Sequence, residues 1–354
     1  MIQTIRPPIN IGIIGLGRAG FEMHCAELEM YPHLFKIVAV CDPIKERRDA
    51  VAARYPDCHA YRRMEDLLAD AHVELIDIAT RTEDHFAHVM AALKTQKWVH
   101  VERPFCCDYE QALVIRAAAI KSGNRLLVRN PYRFEAAFLQ AKEIMESPLL
   151  GDIYAIKMRR GSYERRDDWQ VIKRCGGGMA LSQGTAFLDQ ALELLKTPPV
   201  KVWADFKRAV AVGDAEDYFR ILLRNHAGLT VDLEVSGGRI HDEPLFVITG
   251  SKGEYSIMPN ATEARLRYLD PDQTLERHRS SVRTPPLKRE TTPETIRWLD
   301  STLPLKRNPK TELAQSWEYV FSAIRENKPY PIPLDHAIEV MRLLSLVKKD
   351  TPFG

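Results

Sequence analysis

Gly15-Leu16-Gly17-Arg18-Ala19-Gly20 follows an apolar run, residues 11–14, and opens a helix-length amphipathic stretch, residues 19–30. Few folds accept that order. Gly15 permits a tight turn, Gly17 lets backbone approach a ligand, and Gly20 lets a helix pack close on its strand. The helix start then presents free N–H groups and the positive end of its dipole, a ready site for phosphate.

The motif gains specificity from what surrounds it. Short apolar runs at 35–41, 75–79, 98–101 and 126–128 alternate with helical spacing at 45–54, 83–94 and 108–122. This βαβα rhythm predicts a parallel sheet covered by helices on both faces, a doubly wound Rossmann domain over residues 1–128. Asp42 ends the second strand about twenty residues past the last glycine, where a carboxylate accepts bonds from the adenosine ribose. Asp42 therefore favours NAD. Arg47 and Arg48 could offset the repulsion of a 2′-phosphate, so NADP stays open.

Beyond Pro131 the pattern changes. A helix at 135–145 precedes strand-like runs at 153–162, 201–210, 218–224, 229–234 and 245–249, joined in part by turns at 225–228 and 236–238. Short connections predict a second α/β domain over 129–354 with a large, mostly antiparallel, open-faced sheet. Residues 271–310, rich in proline and charge, read as a surface loop. Helices at 312–325 and 334–347 close the chain and are free to pack back on the first domain.

Fifty Lys and Arg against 48 Asp and Glu leave a net charge of +2, which gives no field to attract nucleic acid or a membrane surface. No apolar stretch has spanning length. Residues 1–10 lack the charged, apolar, small-residue order of a secretory signal, and the six cysteines show no CxxC or metal spacing. The expectation is a cytoplasmic protein without metal, whose partner is a small molecule.

Further segments resemble the glucose–fructose oxidoreductase / inositol dehydrogenase (Gfo/Idh/MocA) family. Ile78-Ala79-Thr80-Arg81-Thr82-Glu83-Asp84-His85 is similar to its ATPxxxH segment, and Val99-His100-Val101-Glu102-Arg103-Pro104 to its V-x-x-E-K-P strand end. Gly176-Gly177-Gly178-Met179 with Asp189-Gln190 resembles the glycine run and following helix of its second domain, and Gly250-Ser251-Lys252-Gly253 its G-T-x-G turn. The resemblance covers nearly the whole chain. It implies hydride transfer at a secondary alcohol of a sugar, cyclitol or related polyol, and a homodimer or homotetramer. It also places Arg18, Ala19, Thr80, Arg81, His85 and Glu102 beside the coenzyme.

The resemblance fails where protons move. Active members carry a lysine in E-K-P and a D-x-x-x-H pair after the glycine run. Here the lysine position is Arg103, the aspartate position Ser182 and the histidine position Ala186. Arginine can hold an oxygen but is a poor base, and alanine transfers no proton. Three accounts stay open. The chain uses another acid–base group, or binds nucleotide without catalysis as a sensor or partner, or keeps its coenzyme for a redox-neutral reaction that still needs a base. Tyr163, beside Arg165, Arg166 and Asp167, is the nearest candidate donor, although a strand aromatic more often simply covers a sheet.

Other candidates flank the same region. Asn130-Pro131-Tyr132-Arg133-Phe134 resembles the family's N-x-R-F segment, with Asn130 toward the coenzyme or capping a turn, and Arg133 toward substrate. Trp169 could stack on a sugar face or anchor a loop. Ser182 and Asp189 complete the substrate candidates. Lys157, Arg159, Arg160, Arg165, Arg166, Lys173 and Arg174 form a basic cluster, solvated by default, of which one or two with Arg103 could clamp an anionic substrate.

Overall fold

A computed structural model of the chain describes residues 6–276, 282, 284, 295–307 and 312–354. The first sheet has six parallel strands: β1 (Ile9–Ile14), β2 (Phe35–Cys41), β3 (His59–Tyr61), β4 (Leu75–Ile78), β5 (Trp98–Val101) and β6 (Leu126–Val128). Their order, β3-β2-β1-β4-β5-β6, is doubly wound, with the switch at β1 and β4. Both faces are covered, and five of the six β1 residues are buried. Ile9, Ile11 and Ile13 pack into one core, and Ile14 turns into the other.

Helices link these strands: α1 (Ala26–Leu28), continuing a π-helical turn Arg18–Cys25, then α2 (Lys45–Arg54), α3 (Met64–Ala69), α4 (Thr82–Leu93) and α5 (Tyr109–Lys121). The short elements β3 and α3 are absent from the sequence reading. Three strand residues hold too little of a period to show.

The second sheet has eight strands: β7 (Ile153–Arg160), β8 (Lys201–Lys207), β9 (Tyr218–Arg224), β10 (Thr230–Ser236), β11 (Phe246–Gly250), β12 (Gly253–Ile257), β13 (Glu263–Leu269) and β14 (Trp298–Pro304). All neighbours run antiparallel except β7 and β10. Two expectations need correction. The 236–238 turn does not make β10 and β11 neighbours, because β7 lies between them. The stretch read as a loop over 271–310 contains β14, an edge strand with six of seven residues exposed, so no buried face marked it in the sequence.

Helices α6 (Ala136–Glu146) and α7 (Thr185–Leu195) cover the inner face of this sheet. The last helices, α8 (Ser316–Glu326) and α9 (Leu334–Lys348), return to the first domain. Trp317 of α8 is fully buried, its ring 5.5 Å from Phe35 and 4.7 Å from His100. Helix α9 reaches α5 through Arg116–Asp335 at 2.6 Å and through Ser345 Oγ, which accepts the Tyr109 N–H at 3.0 Å.

Candidate functional site

A cleft of about 750 Å³ opens at the carboxyl ends of β1, β2 and β4 and runs across to the loop after β7. Gly15 has φ +93°, and a Cβ there would lie 2.7 Å from the Ala79 carbonyl oxygen. At Gly20 a Cβ would stand 1.9 Å from the Gly15 carbonyl oxygen, so only glycine lets this helix approach its strand. Gly17 faces open space, with Arg47 Nη1 its nearest neighbour at 3.8 Å. The first amides of the helix from Arg18 have no intrahelical acceptor. Backbone donors, an open glycine and a cleft of this size fit a dinucleotide diphosphate.

At the next strand end, Asp42 is nearly fully buried. It accepts the Leu16 N–H and the Ile44 N–H, each at 2.9 Å, and lies 3.4 Å from Arg47 Nη1. Arg62, contributed by the segment after β3, lines the same end of the cleft. Thr80, Arg81 and His88 form its floor, with His88 Nδ1 3.0 Å from Thr80 Oγ1. Arg166, Asp168, Trp169 and Gln170 close it from the second domain. Of the basic cluster, only Arg166 lines the cleft, paired with Asp168 at 2.6 Å and Glu164 at 2.9 Å. Arg159 bonds Asp232, Arg160 bonds Glu135, Lys173 bonds a backbone carbonyl, and Lys157, Arg165 and Arg174 are exposed.

Several residues predicted for ligand serve the protein interior instead. His85 is buried between two carbonyls, Pro104 O at 2.6 Å and Thr80 O at 3.1 Å, and so ties the ends of β4 and β5 together. Burial pushes its imidazole below the ordinary value. Glu102 turns into an ion network: its Oε2 takes bonds from His24 at 2.9 Å and from Arg129 at 2.8 Å. Burial alone would raise that carboxyl; the His24 bond and the Arg129 charge hold it well below the carboxylate range. Asp189 accepts from Arg133, from Asn130 at 2.8 Å and from His336 at 3.0 Å. Burial opposes its charge too, and His336 and Arg133 prevail. Arg133 also meets Glu193 at 3.2 Å, leaving it no face for substrate. Asn130 stays inside, its Oδ1 unpartnered beside a cavity of about 30 Å³ lined by Arg103, Ala186 and Asp189.

The reacting end differs from the sequence picture. Arg103, two residues past β5, donates to the Ser182 carbonyl and lies 5.0 Å from the ring centre of Tyr132. Its Nε is buried without a hydrogen bond, 3.9 Å from Glu102 Oε1. Ser182 Oγ donates to the Gly178 carbonyl at 2.9 Å. Tyr163 is 57% exposed, pairs its backbone with Gly238 and does not line the cleft. Arg62 and His88 line the cleft without any signal in the sequence.

A parallel sheet with a glycine turn at its switch point, capped by a second open sheet, defines a two-domain dinucleotide-binding protein. Comparison with known proteins agrees. Residues 9–130 match the model of an oxidoreductase family with an NAD-binding Rossmann fold, and residues 138–256 match the GFO/IDH/MocA C-terminal domain. The chain belongs to the GFO/IDH/MocA oxidoreductase family. It is 30% identical over 263 residues to the uncharacterized oxidoreductase C115.03 of Schizosaccharomyces pombe, covering 70% of each chain. It is 26% identical over 217 residues to scyllo-inositol 2-dehydrogenase (NADP(+)) IolW of Bacillus subtilis, covering 61% of this chain and 59% of that one. A solved NAD-binding protein from Listeria innocua superposes with a TM-score of 0.79 at 23% identity, over 96% of this chain and 94% of that one.

Among the described residues no helix is long and apolar enough to cross a membrane, and no group of three or more His, Cys, Asp or Glu is placed to hold a metal.

Proposed function

We propose that this chain transfers hydride between a nicotinamide coenzyme and a secondary alcohol, or the matching ketone, of a sugar, cyclitol or related polyol. One observation carries the reading. A single cleft joins the glycine turn to Trp169 and Gln170 of the second domain, so a coenzyme on the first domain meets whatever the second domain holds. When bound, the coenzyme supplies or accepts the hydride. Gly17 and the amides of Arg18 and Ala19 hold its diphosphate, and Thr80 and Arg81 flank it. Arg103, a permanent cation at the strand end, holds the substrate oxygen. Trp169 offers a flat apolar face to a sugar ring.

Asp42 suits the ribose hydroxyls of NAD(H), while Arg47 and Arg62 admit the 2′-phosphate of NADP(H), the coenzyme in the name of the Bacillus subtilis relative. Arg18, unpaired in the cleft, favours substrates that bear an acid group. The outer face of the second sheet, with Trp203 52% exposed, is the surface for self-association. Six unpaired cysteines suit a reducing compartment such as the cytoplasm.

The test compares the native chain with the triple variant Arg103→Lys, Ser182→Asp, Ala186→His, which restores the family's usual set. Both are assayed with NAD(H) and NADP(H) on inositols, aldoses, sugar acids and their keto forms. Native turnover on any of these supports the reading. Turnover confined to the variant makes the native chain a binding protein without catalysis.

A further inference from the structure

Position 186 offers no imidazole, so a proton exchanged at the substrate oxygen needs another carrier. One phenol stands close to Arg103 and to the residue after Ala186. Tyr132 lies in a 3-10 turn, Pro131–Phe134, and its backbone is pinned by Gln190, whose Nε2 donates to the Tyr132 carbonyl at 2.6 Å. The pinned ring stands between two landmarks. Its face lies 5.0 Å from the guanidinium carbon of Arg103. Its edge meets Phe187, the residue after Ala186, with ring centres 5.2 Å apart. The hydroxyl makes no hydrogen bond among the described residues, and it is not among the atoms sealed off from solvent.

We infer that Tyr132 is the acid–base residue of the proposed reaction, with Arg103 as the cation that stabilises its ionised form. The inference rests on the oxidoreductase reading above. In the direction of reduction, the carbonyl carbon receives the hydride that the coenzyme supplies, and the C=O π pair moves onto oxygen. The Tyr132 O–H bond breaks, and its proton completes the alcohol. The phenolate left behind faces the Arg103 guanidinium, an attraction that grows as the phenol ionises. Water then returns a proton to it. Oxidation runs the same steps backwards, with the phenolate as base. Tyrosine is an established general acid–base residue.

The charged groups around the phenol come from three elements. Arg103 lies two residues past β5 and Arg160 ends β7, with its guanidinium 4.8 Å from the Phe187 ring centre and within electrostatic range of the Tyr132 oxygen. Glu135, just beyond the turn, pairs with Arg160 at 2.7 Å and cancels much of that charge. Arg103 is paired less closely, its Nε 3.9 Å from Glu102, which is already bound to His24 and Arg129.

The experiment uses the full chain with Tyr132→Phe and Arg103→Met. On a substrate turned over by the native chain, Tyr132→Phe is expected to lower kcat by about 10²–10⁴ and to flatten its pH profile. Coenzyme affinity, read by dihydronicotinamide fluorescence, and Tm should stay near native. Carbon-13 NMR of chains labelled at tyrosine Cζ, native minus Tyr132→Phe, isolates one resonance. That resonance is expected to move with pH over the interval in which kcat changes, and Arg103→Met should displace both together. A Tyr132→Phe chain keeping more than about a third of native kcat with its pH profile intact overturns the inference alone. So does a resonance that moves independently of kcat. A native chain that binds coenzyme but turns over nothing overturns the oxidoreductase reading and the inference with it.

Discussion

Arg129 and Arg62 carry the same charge in opposite circumstances. Arg129 is fully buried, yet its guanidinium meets Glu27 and Ser316 Oγ at 2.9 Å and Glu102 at 2.8 Å. Around it, Asp77 lies 2.7 Å from both His24 and His100, and the Trp317 N–H donates to Glu27 at 2.8 Å. Arg62 is exposed at the cleft and has no ion pair or hydrogen bond among the described residues. Arg18, which lines the same cleft, likewise has no hydrogen bond or ion pair among the described residues. A charge whose partners are internal is structural, since taking it out of water is tolerable only when it is matched. A charge kept unmatched beside a cleft is available to a ligand.

The largest expected effect follows from the first half of that contrast. Arg129→Met removes the buried cation between two carboxylates and leaves Glu27 with only the Trp317 N–H and Glu102 Oε2 with only His24 as partners. The expected cost is about 3–5 kcal/mol of folding stability, read as a shift in the urea midpoint at constant slope. Restoring neutrality with Glu27→Gln in the same chain should recover part of it. A loss below about 1 kcal/mol would show that the network is not structural.

His24 gives a second, pH-dependent break in the same network. Burial would lower its pKa, but Asp77 and the bonds to Asp77 and Glu102 prevail against Arg129 and raise it from 6.5 to about 9. A group raised on folding contributes stability that is complete below its unfolded value and lost as pH climbs through its folded one. The contribution is therefore full below about pH 6.5 and gone above about pH 9, worth roughly 3 kcal/mol between those limits. Unfolding free energy measured across that window should fall in the native chain. In His24→Gln the slope should be shallower by about that amount, from a lower start. Parallel slopes in the two chains would remove His24 from the account.

How much of this was legible from residues alone depended on what enforced each feature. The glycine turn was plain because backbone geometry excludes every other residue there: a left-handed φ at Gly15 and a clash at Gly20. The repeat of apolar runs fixed the first domain for the same local reason. The ion network was invisible. His24, Asp77, Glu102, Arg129 and Trp317 come from separate elements, and periodicity along the chain says nothing of who meets across a sheet. Tyr132 stood in a segment singled out for Asn130 and Arg133, yet both of those turn inward to Asp189 and the ring between them turns to Arg103. Which of three neighbours meets Arg103 is set by the 3-10 turn, a tertiary fact. The tyrosine favoured instead, Tyr163, sits at a strand end, where the chain leaves the sheet into solvent.

Arg62 supplies the smallest effect and sharpens the second half of the contrast. If its guanidinium is held for a ligand, Arg62→Ala should leave stability within about 0.5 kcal/mol of native, as for an exposed side chain with no partner. The same change should weaken the coenzyme that carries a 2′-phosphate and spare the one that does not. A charge-assisted bond of about 1.5–3 kcal/mol predicts a rise in Kd for NADPH of roughly 10- to 100-fold, with NADH little changed. Arg47 shares its charge with Asp42 at 3.4 Å, so Arg47→Ala should do less to NADPH and, by freeing Asp42, improve NADH slightly. Fluorescence titration of both coenzymes against the three chains checks this. Equal losses for NADH and NADPH in Arg62→Ala would mean that the arginine acts on the common diphosphate, and Asp42 alone would then set the choice of coenzyme.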